Sequence, residues 1–317
     1  MRIAWAGFID PMIYSGGGEL SQRELIRAGR ELGHEISIHG FLRRRPQRAL
    51  RKFKIHRQFE IDLTADAIVL MDLRNIPEWP VRIPRRVIDA ALDTGRAAVF
   101  EQAWVDVCLL DLPCLGDRSA CVAECSRSHA NDLYSRAHAA IFNSPRQRDA
   151  IQAVLDVPLP AHQIISRPAI DTHRFRNLGL ERDIDVLYVG TISEAKGYYE
   201  LIERFGADRM TFAGPNALGH EVQGTYLGHV PYEEVPVLMN RARIFAHLPR
   251  WLEPMGRTPV EAALCGCEIV MNDRVGVASH PEPARSDPET IRRAPELFWK
   301  DFEAAFAEPV ARSSSLT

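Results

Sequence analysis

The feature that most limits how this chain can fold is an alternation that runs twice along it: short β-type apolar runs separated by stretches with helical spacing. Arg2 to Phe8 is such a run, followed by Gly16-Gly17-Gly18 and by Leu20, Leu25, Ile26 and Leu32, which fall roughly on one helix face ended by Gly33. His34 to Phe41, Ala65 to Met71, Ala97 to Gln102 and Ala139 to Asn143 continue the strand series. The pattern restarts with strands at Asp185 to Val189, Met210 to Ala213, Ile244 to Leu248 and Glu268 to Met271, and with helices at Lys196 to Phe205, Pro231 to Arg241 and Gly256 to Leu264. Such alternation predicts an α/β architecture of parallel sheets covered on both faces. At 317 residues the chain suits two domains of roughly 150 each. The expected division is a first domain at 1–170, a second at 171–285, and a segment at 286–317 that packs back towards the first. Its helix, Pro288 to Phe306, is rich in aromatics at Phe298, Trp299, Phe302 and Phe306. Two doubly wound, Rossmann-like domains predict a ligand cleft at the carboxyl ends of their strands.

Composition removes several classes. Apolar residues make up 46% and charged residues 26%, which is the balance of a folded globular protein rather than a disordered one. No apolar run approaches the roughly 20 residues of a spanning helix, and Ile3 to Ile9 is too short for a secretory signal, so the cytoplasm is the expected compartment. The formal charge of −3 conceals a run at Leu42 to Gln58 with eight basic residues and no acid: Arg43, Arg44, Arg45, Arg48, Arg51, Lys52, Lys54 and Arg57. It reads either as a solvated helix face or as a contact for anionic lipid headgroups or a phosphate-bearing acceptor. Nucleic acid is the poorer reading, since aromatic interleaving is missing. Six cysteines without an export signal are expected to be reduced. Cys108, Cys114, Cys121 and Cys125 fall within eighteen residues and invite a metal reading, against which their spacings match no common zinc site; Cys265 and Cys267 read as small buried hydrophobes.

Three stretches carry chemistry. Gly16-Gly17-Gly18 opens the first helix, where bare N–H groups and the helix dipole can receive an anion. It lacks the third glycine of a dinucleotide fingerprint, and HGFLRRR stands where the ribose-binding acid would be. Gly190-Thr191-Ile192-Ser193-Glu194-Ala195-Lys196-Gly197 repeats that geometry with a lysine at the helix mouth, a mobile point charge suited to phosphate. Glu253-Pro254-Met255-Gly256-Arg257-Thr258-Pro259-Val260-Glu261 sets two acids across a helix start with a glycine between them. One carboxylate can accept from hydroxyls at one end of a ligand, the free N–H groups can hold its diphosphate, and the second can clasp hydroxyls beyond. A nucleoside diphosphate sugar has that order of groups.

With these motifs the chain resembles the family 4 glycosyltransferases of the GT-B fold, which carry an E-x7-E element in a C-terminal donor domain. Gly33-His34-Glu35-Ile36 resembles their "GHxV" second strand and Leu227-Gly228-His229-Val230 their "LGxV" turn. The resemblance implies two Rossmann-like domains facing a central cleft, with retention of configuration in sugar transfer and no cofactor or essential metal. It implies that Glu253 addresses the donor sugar and Glu261 the ribose, that Lys196 holds the diphosphate, that Gly256, Arg257 and Thr258 hold the phosphates by backbone, and that Val230 meets the base. Gly16 to Gly18, Gly190, Thr191 and Met255 complete the expected donor side, with Lys196 and Glu253 as the catalytic pair. Two departures stand out. Thr191 occupies the position of a usual arginine, for which the Arg257 side chain is the expected substitute. Phe100-Glu101-Gln102-Ala103-Trp104 replaces a histidine-bearing loop, leaving Glu101, Gln102 and Trp104 on the acceptor side.

No H-E-x-x-H, G-x-S-x-G or P-loop pattern is present, which removes the common metalloprotease, serine hydrolase and P-loop readings. The histidines, His247 among them, are expected to be structural or solvated. Trp251 is a candidate for stacking on a sugar ring, with core filling as its alternative. The expected activity is transfer of a sugar from a nucleotide donor to a cell-surface glycan or lipid-linked acceptor, with possible attachment to the inner membrane face. The rival readings are a nucleotide-sugar epimerase, which needs no acceptor, and a non-catalytic sugar or nucleotide binding protein.

Overall fold

The computed structural model describes residues 1–13, 16–42, 60–73, 84–104, 107–108 and 127–307. The basic residues at 43–57 and the cysteines at 114, 121 and 125 lie outside these. The chain divides into two compact units: one holds Met1–Phe142, Arg148–Ser166 and Pro295–Thr317, the other Asn143–Gln147 and Arg167–Ala294.

In the first unit the chain runs through β1 (Arg2–Ile9), α1 (Gly17–Glu31), β2 (Glu35–Leu42), β3 (Ala67–Met71), α2 (Arg85–Asp93), β4 (Ala97–Glu101), α3 (Arg127–Arg136), β5 (Ala139–Phe142), α4 (Pro145–Val154) and β6 (His162–Ile165). The strands form one parallel sheet in the order β2-β1-β3-β4-β5-β6. β3, β4 and β5 are buried at every position, because central parallel strands are covered on both faces and so read as unbroken apolar runs. β6 was not expected from the sequence: its four residues follow two prolines and mix His162 and Gln163 with two isoleucines, as an edge strand can.

The last helix, α10 (Ala294–Ala307), supplies Phe298, Trp299 and Phe302 to the core of this unit, each 0% exposed. The Trp299 indole N–H donates to the Leu25 carbonyl at 2.7 Å. A Cβ added to Gly29 would lie 2.5 Å from the Trp299 ring, so α1 carries a glycine where the indole needs the space.

The second unit runs β7 (Ile184–Val189), α5 (Tyr198–Phe205), β8 (Met210–Ala213), β9 (Thr225–Tyr226), α6 (Val235–Arg241), β10 (Ala242–His247), α7 (Arg257–Leu264) and β11 (Glu268–Met271), followed by the short α8 (Pro283–Ser286) and α9 (Pro288–Arg292). Its parallel sheet has the order β11-β10-β7-β8-β9. The pleat sends alternate residues to opposite faces: Leu187 and Phe245 enter one core with Met239, Val260 and Leu264, while Val186 and Ala246 enter the other with Tyr198, Leu201 and Phe212. Cys265 and Cys267 are buried, and burial pushes the Cys265 thiol up to about 12, which leaves it a packing residue.

Strand order reverses between β7 and β10, since β8 and β9 extend to one side of β7 while β10 and β11 lie on the other. That reversal is a topological switch point, where an open α/β sheet leaves room for a ligand beyond the strand ends.

Candidate functional site

Both loops at the switch point are shaped by glycines that no other residue can replace without strain. β7 ends in Gly190 (φ 147°), whose N–H donates to Ala213 O at 2.9 Å. A Cβ on Gly214 (φ 138°) would lie 2.0 Å from Gly190 O, and the Gly214 N–H in turn donates to Gly228 O at 2.7 Å. Three strand-end glycines thus pack backbone to backbone, and the wall they form carries no side chains. The loop then delivers Lys196 and turns into α5 through Gly197, left-handed at φ 84° and pressed so close to β10 that its Cβ would meet Leu248 O at 1.9 Å. The helix therefore begins at Tyr198, two residues later than the sequence pattern suggests.

From the end of β10 the chain reaches Glu253, whose backbone is tied on both sides: its N–H donates to Arg274 O at 2.9 Å and its C=O accepts from Gly276 N–H at 2.8 Å. The next carbonyl, Pro254 O, accepts from Ser144 Oγ at 2.7 Å. Gly256 is left-handed at φ 81° and, as the N-cap of α7, supplies no side-chain hydrogen bond to the helix start.

The two loops bring the expected pair together. Lys196 Nζ lies 2.9 Å from Glu253 Oε1, with side-chain exposures of 26% and 16%. The ammonium also sits 4.3 Å from the centre of the Trp251 ring, a cation–π geometry. The other carboxylate oxygen, Oε2, is hydrogen-bonded to His247 Nε2. His247 is buried and its ring lies against Tyr188, with centroids 5.7 Å apart. Burial opposes ionisation of Glu253, but His247 and Lys196 outweigh it and hold the carboxyl well below the usual carboxylate range. Burial, reinforced by the Glu253 charge, pushes the Tyr188 phenol up, and its O–H donates to Thr191 O at 2.9 Å.

Glu261 is the second acid, and the structure gives it two fixed partners. Its Oε1 accepts from the Arg257 Nη2 at 3.1 Å and from the Tyr232 hydroxyl at 3.3 Å, with the Arg257 and Glu261 side chains only 7% and 3% exposed. Arg257 Nη1 also donates to Ala169 O at 2.7 Å. This corrects one expectation: the Arg257 guanidinium is not free to replace the arginine absent at Thr191, because it is spent on Glu261 and on the chain entering the unit. Thr191 is exposed, Thr258 half-buried, and Val230 packs partly buried against the unit's core. Met255 is buried in that same core, so its side chain is packing and only its backbone lines the turn.

In the first unit, Gly16 is the extended N-cap of α1 and has no side-chain cap. A Cβ on it would lie 2.3 Å from Glu19 Oε2, so a carboxylate already stands beside this helix start. A Cβ on Gly18 would lie 2.8 Å from Gln102 Oε1, which brings the glycine loop and the loop after β4 into contact. Glu101 and Trp104 are fully buried and Gln102 half-buried. Gly17 is the first residue of the helix. Among the described residues no three His, Cys, Asp or Glu side chains converge to hold a metal ion.

His247 is the site residue that sequence reasoning passed over. One signal was available: a histidine closes a strand whose preceding residues, Ile244, Phe245 and Ala246, are apolar, and Glu253 follows six positions later.

Residues 215–281 match the family model for Glycosyl transferases group 1, a span that holds Gly228, Val230, His247, Glu253, Gly256 and Glu261. No curated protein matches the chain. Among solved structures it is similar to Anabaena HepE in complex with UDP and glucose, at 16% identity and a TM-score of 0.55, covering 96% of this chain and 93% of that one. It is similar to the sucrose-phosphate synthase of Thermosynechococcus elongatus at 15% identity and a TM-score of 0.55, with 96% and 95% covered. An alpha-glucosyltransferase in complex with UDP and a 13-mer DNA gives 12% identity, a TM-score of 0.55, and 97% and 100% covered. The fold is that of the GT-B glycosyltransferases, and the family match marks the chain as a glycosyltransferase.

Proposed function

We propose that this glycosyltransferase takes a nucleoside diphosphate sugar at the β7–β10 switch point and transfers the sugar, with retention, to a glycan or lipid-linked acceptor. The observation that carries the reading is the ion pair of Lys196 and Glu253 between two loops whose glycines leave their backbones bare. In a donor complex the pair opens: the ammonium turns to the diphosphate, and Glu253 Oε1 accepts from sugar hydroxyls. The N–H groups that open α7 meet the phosphates. Glu261, fixed by Arg257 and Tyr232, presents its remaining acceptor capacity to the ribose.

As the C1–O bond to the diphosphate breaks, negative charge grows on the leaving group, and preorganised N–H donors with Lys196 stabilise it. The acceptor oxygen forms the new bond on the same face, and its proton passes to the departing phosphate, so no separate base is required. The acceptor class rests on the basic residues at 43–57, whose charge suits a phosphate-bearing acceptor at an anionic membrane surface. HepE and the alpha-glucosyltransferase hold UDP in their complexes, which makes uridine diphosphate the first nucleotide to test.

The test is Lys196→Ala, with donor turnover followed by release of nucleoside diphosphate. Loss of one charge-stabilising donor is expected to lower turnover by about 10²–10³-fold, with the far-UV spectrum unchanged. Wild-type turnover in that variant refutes the phosphate role. Donors are found by thermal shift against uridine, guanosine and adenosine diphosphates and their glucose conjugates, because ligand at about 100 times its Kd adds about 2.7 kcal/mol of stability.

A further inference from the structure

We infer that His247 is a positioning residue for donor recognition: it anchors Glu253 Oε2 so that Oε1 is the oxygen presented to the sugar. The inference rests on the donor reading above. Its basis is a division of labour around one carboxylate. Oε1 faces Lys196, whose side chain is partly exposed and whose ammonium rests on the Trp251 face. Oε2 faces His247, which ends β10, is 3% exposed and lies against Tyr188.

A purely structural role for this bond would be to hold the loop, but the loop is already held. Glu253 N–H, Glu253 C=O and Pro254 C=O each have a partner, in Arg274 O, Gly276 N–H and Ser144 Oγ. What remains free without His247 is the glutamate side chain, whose three torsions would otherwise sample several rotamers. A buried imidazole is also an expensive way to fill space. Its Nδ1 is buried with no hydrogen-bond partner, whereas an apolar residue like its neighbours Ala246 and Leu248 would leave no polar atom unsatisfied. The gain that offsets this cost lies at Nε2, in a charge-assisted bond that sets the direction of the carboxylate. When Lys196 leaves for the diphosphate, His247 keeps the acid in place, and the hydroxyl-binding oxygen needs no reorganisation.

The experiment compares His247→Leu, which removes the donor at similar volume, with His247→Gln, whose amide N–H reaches close to the Nε2 position. Each is titrated with UDP and with UDP-glucose, and likewise with the guanosine and adenosine pairs, so that the part of the affinity due to the sugar is read separately from the nucleotide. For His247→Leu the sugar increment and kcat/KM are expected to fall about tenfold or more, the scale of one hydrogen bond to a charged group, while affinity for the bare diphosphate stays within about twofold. His247→Gln is expected to restore most of the loss. Equal loss for diphosphate and diphosphate sugar, a glutamine variant no better than leucine, or unchanged kcat/KM in both variants overturns the assignment while leaving the donor reading intact. A wild-type chain that binds none of the diphosphates overturns the donor reading and this assignment with it.

Discussion

Gly197 offers the most direct test of how the lysine loop is built. At φ 84° it lies in left-handed backbone, and an added Cβ would stand 1.9 Å from Leu248 O. An ordinary carbon-to-carbonyl contact is about 3.3 Å, so Gly197→Ala must push the loop roughly 1.4 Å from the end of β10. Two costs add. Left-handed backbone with a Cβ is worth about 1–2 kcal/mol, and forcing a methyl into packed structure about 1–3 kcal/mol. Together, at about 3 °C per kcal/mol, they predict a fall in Tm of roughly 6–15 °C. The control is Gly219→Ala, at φ 80° with nothing within 4 Å of its Cβ, which carries only the first cost. Thermal denaturation by circular dichroism gives both values, and their difference isolates the clash with Leu248 O. Because Lys196 adjoins the displaced residue, donor turnover in Gly197→Ala is expected to fall about 10²-fold, as for other misplacements of about 1 Å. Equal Tm values for the two alanine variants, or wild-type turnover in Gly197→Ala, would refute the argument.

Two further outcomes follow from the acids. The Glu253 carboxyl is held below its ordinary value in the folded chain, so on acidification the unfolded chain takes up this proton first. Its stabilisation is complete above about pH 5 and declines as pH falls below the ordinary carboxylate range; Glu253→Gln should therefore flatten the dependence of Tm on pH between about 5 and 3, and an unchanged slope counts against the ion-paired geometry. Arg257→Met strips the buried Glu261 of its cationic partner, with an expected loss of about 3–5 kcal/mol in urea denaturation, and Arg257→Met with Glu261→Leu should recover most of it. A double variant as unstable as the single one would show that the pair is not the source of the loss.

The central strands were legible because they are largely apolar runs, and the donor-side loops because glycine and proline punctuate them. β9 escaped because it is a two-residue exposed strand, Thr225–Tyr226, too short to show a period. The helix expected from Pro231 starts at Val235, since Pro231 to Glu234 closes first as a turn, with Glu234 N–H on Pro231 O at 2.9 Å. The motifs announced that Lys196 and Glu253 matter, but not that they meet, for this depends on Gly197 lying against Leu248 O. Arg257 looked free because side-chain commitment is a tertiary fact: Ala169 O, which claims one of its nitrogens, is 88 positions away. His247 looked ordinary for the same reason.

The first unit is assembled from pieces at both ends of the sequence, and Trp299 sits where Gly29 makes room for it. On the ribosome, the stretch forming nearly all of the second unit emerges whole before the helix that seals the first. Until Ala294–Ala307 arrives, the Trp5 side of the opening sheet lacks its cover and is a natural client for a chaperone. A stop codon placed before this helix would therefore strike the unit that opens the sequence, although the rest of that unit had already been made.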